Sequence, residues 1–460
     1  MIPTLQSIEA TLEQLSAWAW GPPMLILLFG THLFLTCRLR GIQRYLGTAI
    51  RLSLKREPEG KGDISQFGAL TTALAATIGT GNIVGVATAV AAGGPGAVFW
   101  MWLTGVFGIA TKYAEALLSV HYRVTSANGT MSGGPMHVLE QGLRNKPLAM
   151  AFAAFTAIAA FGIGNMVQAN SISSLMQETL HLSPWISGSL MTVVTALVIL
   201  GGITAIARVC ETLVPVMALF YVAGCLVILA MHAGEIPHTI ALIFNSAFSG
   251  HAALGGFLGA GMREAMRFGI ARGLFSNESG LGSAPIVAAA AQTKNPVRQA
   301  LVSATGTFWD TVVICAITGL VIVGAGDWTT GLKGAALTKS AFSHLPYIGP
   351  LILTVGLLTF VFSTILGWSY YGEKAAEYLF GPRVIKPYRY LWVIAVMVGA
   401  VATLPIVWSF ADIANALMAI PNLISLLALN GVIVSLTRHY LWNDKLDESA
   451  DIASAPTPRR

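Results

Sequence analysis

The chain has 460 residues, of which 55% are hydrophobic and only 10% are charged. Soluble domains carry roughly 25% charged residues, so this composition excludes an ordinary soluble protein and indicates a chain that crosses a membrane many times. The formal net charge of +6 could suggest a nucleic-acid partner, but the placement of the basic residues gives it another explanation.

Successive apolar stretches run along the chain, and each is close to the roughly 20 residues that a helix needs to span a bilayer. They lie at 18–37, 67–92, 97–120, 148–170, 184–205, 209–231, 257–291, 300–325, 348–372, 389–408 and 413–437. The segment before the first stretch holds Glu9 and Glu13 and no basic residue, which argues against a signal peptide. We predict an all-α polytopic membrane protein with about 11 transmembrane helices.

The basic residues are distributed unevenly between the two sides of these spans. With the amino terminus outside, the cytoplasmic loops hold 21 of the 27 Lys and Arg residues, whereas the outer loops hold only Lys333 and Lys339. This asymmetry is the positive-inside pattern of membrane proteins. It predicts an outer amino terminus and a cytoplasmic carboxyl terminus, and it explains the net charge without nucleic acid.

The stretch at 67–92 is interrupted by Thr77-Ile78-Gly79-Thr80-Gly81-Asn82. A helix over the whole stretch would be roughly 39 Å long, so the interruption falls near the middle of the membrane. Backbone groups freed there must be buried in protein or line a watery cavity. Carbonyls of the preceding turn (Ala75, Thr77 and Ile78) suit a small cation, and amides of the following turn (Thr80, Gly81 and Asn82) suit a carboxylate. Close helix packing at the glycines is the alternative, and it leaves Thr80 and Asn82 unexplained.

A second interrupted stretch, at 257–291, contains the polar run from Arg263 to Gly280. When the amino-terminal helix is set aside, the two interrupted helices are the first and sixth of ten. Broken helices at corresponding positions of two inverted five-helix repeats are typical of secondary transporters. We therefore divide the chain into an amino-terminal helix with a basic cytoplasmic loop (1–66), a first repeat (67–231), a second repeat (232–440) and a disordered cytoplasmic tail (441–460).

Several polar residues inside other apolar stretches are further candidates. The amide of Gln168 could bond a substrate amine or carboxylate, or alternatively a neighbouring helix. The hydroxyls of Ser363 and Thr364 could complete a site for a hard cation such as sodium, or alternatively bond the carbonyls of their own helix. Asp310 and Glu115 are functional candidates because they are ionisable groups within spans, and we favour salt pairing inside the helix bundle for both.

Five motifs occur in order along the chain: GTGNIVG at 79–85, GGPGAVFWMW at 93–102, SGGPM at 132–136, RGLFSNESGLGSAP at 272–285 and GWSYYGEK at 367–374. With these motifs the chain resembles the alanine or glycine:cation symporter family, within the amino acid-polyamine-organocation superfamily, over residues 18–440. The resemblance implies a leucine-transporter-like 5+5 inverted repeat and sodium-driven uptake of alanine or glycine. It also implies a bacterial or archaeal inner membrane, with sodium as the coupling ion and no other cofactor.

The resemblance also implies roles for individual residues. Thr80 and Gly81 would meet the substrate carboxylate, with Gln168 and Trp368 as further substrate contacts. Ala75, Ile78, Ser363 and Thr364 would hold sodium, and Thr77 with Asn82 would form a second cation position. The segment from Phe268 to Gly273, with Gly269, would be unwound and receive the amine and side chain, although Arg272 departs from the small residue usual there.

Three other functional classes compete with a symporter. A proton-coupled or glutamine-preferring carrier would use the same scaffold. An ion channel would need a filter-like repeat, and none is present in the sequence. A membrane-embedded enzyme would need a nucleophile with its base or a metal cluster, and the histidines lack ligand spacing. We predict a symporter with a small neutral amino acid, sodium and the lipid bilayer as its partners, and no enzymatic activity.

Overall fold

The computed structural model describes residues 3–55, 60–248, 261–402 and 405–449. These residues are almost entirely helical, and the strands among them are Val124–Thr125 and Met131–Ser132, paired antiparallel. The prediction of an all-helical fold is confirmed.

The first half of the chain begins with α1 (Pro3–Ala19), α2 (Pro22–Arg38) and α3 (Leu46–Ser53). The helices of the first predicted repeat are α4 (Gln66–Thr77), α5 (Val86–Gly93), α6 (Gly96–His121), α7 (Pro135–His137), α8 (Lys146–Ala159), α9 (Val167–Leu180), α10 (Pro184–Ile199) and α11 (Gly202–Met231). Wider π-helical turns at Gly81–Gly85 and Ala160–Met166 join α4 to α5 and α8 to α9.

The second half of the chain is also helical. Its helices are α12 (Ile236–Phe248), α13 (Met262–Asn277), α14 (Pro285–Ala288), α15 (Pro296–Thr307), α16 (Ala316–Ala325), α17 (Gly334–Ser343), α18 (Ile348–Phe380), α19 (Ile385–Val401), α20 (Pro405–Ala428) and α21 (Asn430–Thr437). A π-helical turn, Phe308–Cys315, joins α15 to α16. The long helix α18 packs against α4, α8, α9 and α11, so it lies in the interior of the bundle.

In the described ranges, six continuous helical segments are long and apolar enough to span a bilayer, and two more spans are obtained if each bent helix pair counts as one. One bent pair is α4 with Gly81–Gly93, which meet at 54°. The predicted break in the first core helix is therefore confirmed. The number eleven stays a prediction, because α6 and α13 carry charged residues and α10 has only 16 residues.

The second break lies further along the chain than the sequence suggested. Residues 268–273 belong to the continuous helix α13, so the prediction that they are unwound was wrong. The chain leaves the helix after Asn277 and resumes at α14. Glu278 ends α13 in a left-handed conformation (φ +55°), and Gly280 and Gly282 also have positive φ (+93° and +84°). Pro285, which has no backbone N–H, then starts the next turn.

The predicted tail is only partly described. Residues up to 449 are held against α15, because the Asn295 amide donates to the carbonyls of Leu446 and Glu448 at 2.9 and 3.0 Å. The predicted disorder of 450–460 lies outside the described residues.

Candidate functional site

The first break brings backbone carbonyls of α4 next to two hydroxyls of α18. Ser363 Oγ lies 3.1 Å from the Ala75 carbonyl oxygen, and Thr364 Oγ1 lies 3.4 Å from that of Ile78. Both hydroxyls also donate to the Phe360 carbonyl of their own helix, at 2.8 and 3.0 Å. A hydroxyl has one hydrogen and two lone pairs, so the bond to Phe360 leaves both oxygens available to a cation. Four oxygens from two helices thus come together at the predicted sodium site.

Glycines make this close approach possible. A Cβ at Gly79 would lie 2.6 Å from Thr364 Oγ1, and one at Gly367 would lie 2.7 Å from the backbone nitrogen of Ala76. Any larger residue at either position would push α18 away from the break. These glycines therefore set the spacing of the four oxygens.

The side chains of Thr77 and Asn82 make other contacts. Thr77 donates to the Ala73 carbonyl at 3.1 Å. Asn82 accepts from the Gly79 amide at 2.9 Å and donates to Asp310 Oδ1 at 2.7 Å. The structure does not join Thr77 to Asn82; it joins Asn82 to a buried carboxylate.

Asp310 and Glu115 are held by neutral donors. Asp310 also accepts from the hydroxyls of Ser276 at 3.0 Å and Thr311 at 2.7 Å. Glu115 Oε1 accepts from the amides of Gly280 and Gly282, both at 3.0 Å, and from Asn422 at 2.6 Å. Neither carboxylate forms an ion pair within the described residues, so the expected salt pairing was wrong. Glu115 instead anchors the unwound segment of the second break.

A small cavity of about 20 Å³ lies between the two breaks. It is lined by Ala76, Thr77, Gly79, Thr80, Gly81, Ile163, Gln168, Phe275, Glu278, Thr364, Trp368 and Asn415. The structure therefore brings four of the predicted substrate contacts, Thr80, Gly81, Gln168 and Trp368, to one cavity next to the predicted sodium ligands.

The other predicted substrate contacts lie elsewhere on α13. A Cβ at Gly269 would lie 2.4 Å from the Ala97 carbonyl oxygen, and one at Gly273 would lie 2.1 Å from Thr104 Oγ1. These glycines let α13 pack closely on α6. Phe268 is half-buried, with the Arg267 guanidinium 5.3 Å from its ring centre. None of the three residues lines the cavity.

The predicted site did not include six residues of this cavity, namely Ala76, Gly79, Ile163, Phe275, Glu278 and Asn415. A carboxylate followed by glycines inside an apolar stretch, as in Glu278-Ser279-Gly280, was a signal that could have identified the second break. Asn415 lies in the mainly apolar helix α20, and its position in the sequence does not indicate that it lines the cavity.

Two segments of the chain pair on the side predicted to be cytoplasmic. The segment before α4 pairs with the segment after α14 through bridges from Lys61 to Thr293 and from Ile64 to Ala291. The buried Arg123 guanidinium donates to the carbonyls of Ala289, Ala291 and Lys61 at 2.8 to 3.0 Å. The segments next to both breaks are therefore joined by this pairing.

Asp63 lies between the paired residues Lys61 and Ile64, and its carboxylate accepts from the Met131 amide at 2.8 Å. Burial raises the pKa of the Asp63 carboxyl, while this hydrogen bond acts in the opposite direction.

Comparison with known proteins shows which sequences and which solved structures this chain resembles. The sequence model of the sodium:alanine symporter family matches residues 5–454. The sodium/alanine symporter AgcS of Methanococcus maripaludis is 52% identical, over 92% of this chain and 95% of that protein. An uncharacterized transporter of Haemophilus influenzae is 51% identical, over 96% of this chain and 98% of the relative.

Among solved structures, the transporter MhsT in complex with L-phenylalanine superposes with a TM-score of 0.55 at 15% identity, covering 86% of this chain and 94% of MhsT. At this identity the similarity establishes the fold alone.

Proposed function

This chain belongs to the sodium:alanine symporter family, and on that premise we propose that it imports alanine or glycine together with sodium. The observation that carries the proposal is the meeting of four oxygens, from Ala75, Ile78, Ser363 and Thr364, beside the cavity that Thr80 and Gly81 line. Sodium is the coupling ion, no other cofactor takes part, and the protein is a carrier and not an enzyme.

Both ligands would use the first break, from opposite sides. The carbonyls that end α4 carry negative partial charge and favour sodium. The amides that open the next turn, at Thr80 and Gly81, have no intrahelical partner and favour the substrate carboxylate. Since each ligand would stabilise the same conformation of the break, each would increase the affinity for the other by an equal factor.

A second cation position is proposed at Thr77 and Asn82. Its support is the contact of Asn82 with Asp310, at 2.7 Å, because a buried carboxylate would supply negative charge there. The three donors on Asp310 would have to reorient for a cation to reach it directly.

The direction of transport follows from the proposed topology. The amino terminus would face outward and the carboxyl terminus the cytoplasm of a bacterial or archaeal inner membrane, in line with the positive-inside distribution. Import would require the contact between Lys61 and Thr293 to open while the first and sixth core helices move against the scaffold.

Uptake of radiolabelled alanine into proteoliposomes tests the proposal. An inward sodium gradient should drive accumulation that unlabelled glycine competes away, and an equal choline gradient should not. Glutamine uptake in place of alanine would overturn the substrate, and accumulation driven only by a pH gradient would overturn the ion. Alanine flux that does not saturate with concentration would indicate a channel.

A further inference from the structure

Lys112 is a buried cation on α6 that the site described above does not use. It is only 4% exposed. Within the described residues, its Nζ has no hydrogen-bond partner, although an ammonium carries three N–H donors. A buried charge without a direct partner is costly, and an ionisable residue inside a membrane span is a functional candidate for that reason.

Lys112 shares a cavity with the end of α4. This cavity has a volume of about 10 Å³, and its polar lining consists of Lys112, Thr77 and Ser303. Thr77 also lines the cavity between the breaks, so the two cavities meet at this residue. The Thr77 hydroxyl donates to the Ala73 carbonyl at 3.1 Å, which leaves its lone pairs free to face a cation. Lys112 therefore lies beside one residue of the proposed second cation position.

The charge of Lys112 also reaches the carboxylates around the two breaks. Glu115, Glu278 and Asp310 all lie within its electrostatic range. Asp310 accepts from Asn82, the other residue of the second cation position, at 2.7 Å. Like charges repel strongly in a medium of low dielectric constant. A sodium ion at this position would therefore be repelled by the Lys112 ammonium.

We propose that the Lys112 ammonium is itself the cation of the second position, so that the carrier takes up one sodium ion, and not two, with each amino acid. Lys112 supplies the positive charge that a second sodium ion would bring to the buried carboxylates. The one transported sodium ion binds at the four oxygens of the first break. This inference rests on the proposed function, sodium-coupled uptake, and specifies what occupies its second cation position.

A lysine with a structural role alone is the competing interpretation. In that case Lys112 only offsets the charge of Glu115, which lies three residues further along the same helix. A second sodium ion would then bind at Thr77 and Asn82. The two interpretations differ in the number of sodium ions that accompany each alanine.

The alanine gradient that wild-type protein sustains in proteoliposomes counts these ions. The membrane potential is clamped at zero with potassium and valinomycin, and net flux of labelled alanine is measured at preset alanine ratios. With a sodium gradient of about tenfold, one sodium ion per alanine balances an accumulation of about tenfold, and two balance about 100-fold. We expect net flux to vanish near tenfold accumulation. Zero flux near 100-fold would overturn the proposal.

Lys112→Met removes the charge and keeps a long unbranched side chain. It should open the second position to sodium, so that zero flux moves to an accumulation of about 100-fold. Lys112→Arg keeps the charge and should stay near wild type. Lys386→Met is the matched control, because it removes an exposed cation from the start of α19, and it should also stay near wild type. A Lys112→Met protein that still balances near tenfold would overturn the proposal.

Two further results separate the proposal from folding and from the proposed function. The sodium-induced rise in melting temperature shows whether Lys112→Met is folded, and if it is not, the wild-type balance decides alone. Wild-type protein without sodium-driven alanine accumulation would overturn the proposed function itself. Accumulation that balances near 100-fold would leave that function intact and overturn only the role of Lys112.

Discussion

The two helix breaks offer different groups to a ligand. The first is short: α4 ends at Thr77, the next turn begins at Gly81, and no residue between them has positive φ. It presents backbone carbonyls to the hydroxyls of α18. The second runs from Glu278 to Ala284, contains three residues with positive φ, and is held by Glu115. It presents the carboxylate of Glu278 to the cavity.

This difference suggests that the two breaks have different roles in binding. Backbone groups at the first break would bind sodium and the substrate carboxylate, whereas the second break contributes a carboxylate side chain to the lining of the same cavity. A substrate in that cavity would then contact both breaks. Changes to the backbone of the first break should alter sodium affinity, and changes to the backbone of the second should alter stability.

Removing the side chain that links the breaks should have the largest effect. Asn82→Ala would leave the Gly79 amide without its acceptor and remove one donor from the buried Asp310, which also holds Ser276 just before the second break. We expect the free energy of unfolding to fall by about 3 kcal/mol, because buried polar groups left unpaired are costly. Denaturant titration in mixed micelles measures this loss.

Asn165→Ala is the control for that loss. Asn165 is equally buried but donates a single bond, to the Trp392 carbonyl at 2.9 Å. It should cost about 1 kcal/mol. Equal losses in the two variants would remove the special role of Asn82 as a link between the breaks.

Alanine placed in each break should produce two different defects. At Gly280 the backbone has φ +93°, so Gly280→Ala should lower the free energy of unfolding by about 2 kcal/mol. At Gly79 the added Cβ would lie 2.6 Å from Thr364 Oγ1, so Gly79→Ala should weaken sodium binding. Unfolding and sodium-titrated melting curves separate the two.

Gly431→Ala serves as the reference, since a Cβ there would meet nothing within 4 Å. It should leave both stability and sodium affinity close to wild type. If Gly280→Ala lowered only sodium affinity, or Gly79→Ala only stability, the assignment of sodium to the first break would be wrong.

Removal of one hydroxyl at the first break should have a smaller effect. Thr364→Ala removes an oxygen 3.4 Å from the Ile78 carbonyl. We expect the sodium affinity to fall about tenfold, which corresponds to about 1.4 kcal/mol. Thr364→Ser keeps the oxygen and should remain within about threefold of wild type. Sodium-dependent alanine uptake measures both, and equal affinities in Ala and Ser variants would exclude a hydroxyl ligand.

The smallest expected effect is on the pH dependence of stability, through Asp63 in the segment before the first break. Burial raises the pKa of Asp63 above its usual 3.8, so the folded protein binds this proton more tightly than the unfolded chain. The free energy of unfolding should therefore decrease as pH rises from 3.8 through the raised pKa. Asp63→Asn should make this dependence shallower. Melting temperatures between about pH 4 and pH 6 check it, and parallel curves would contradict it.

The sequence was sufficient to predict the first break, because the site proposed there uses backbone groups of consecutive residues and two adjacent hydroxyls. Glycines mixed with polar residues in an apolar stretch mark such a site directly. The second break was misplaced because Gly269 and Gly273 provide helix packing, whereas Glu278, Gly280 and Gly282 make the turn. Nothing in their spacing separates these two roles.

The full lining of the cavity was beyond prediction for a different reason. Glu278 and Asn415 are separated by more than 100 residues, and only the packing of α20 against the second break brings them to one cavity. The partners of Asp310 and Glu115 were missed for the same reason. Their donors are amides and hydroxyls of distant segments, so an ionisable residue suggested a salt bridge where neutral groups suffice.

The central claim is that one break binds sodium and the substrate carboxylate together, and the binding linkage tests it most directly. Alanine affinity of the purified protein is measured in saturating sodium and in choline, and sodium affinity with and without alanine. We expect sodium to tighten alanine binding by about tenfold or more, and alanine to tighten sodium binding by the same factor. Alanine affinity that is equal in sodium and in choline would contradict the account.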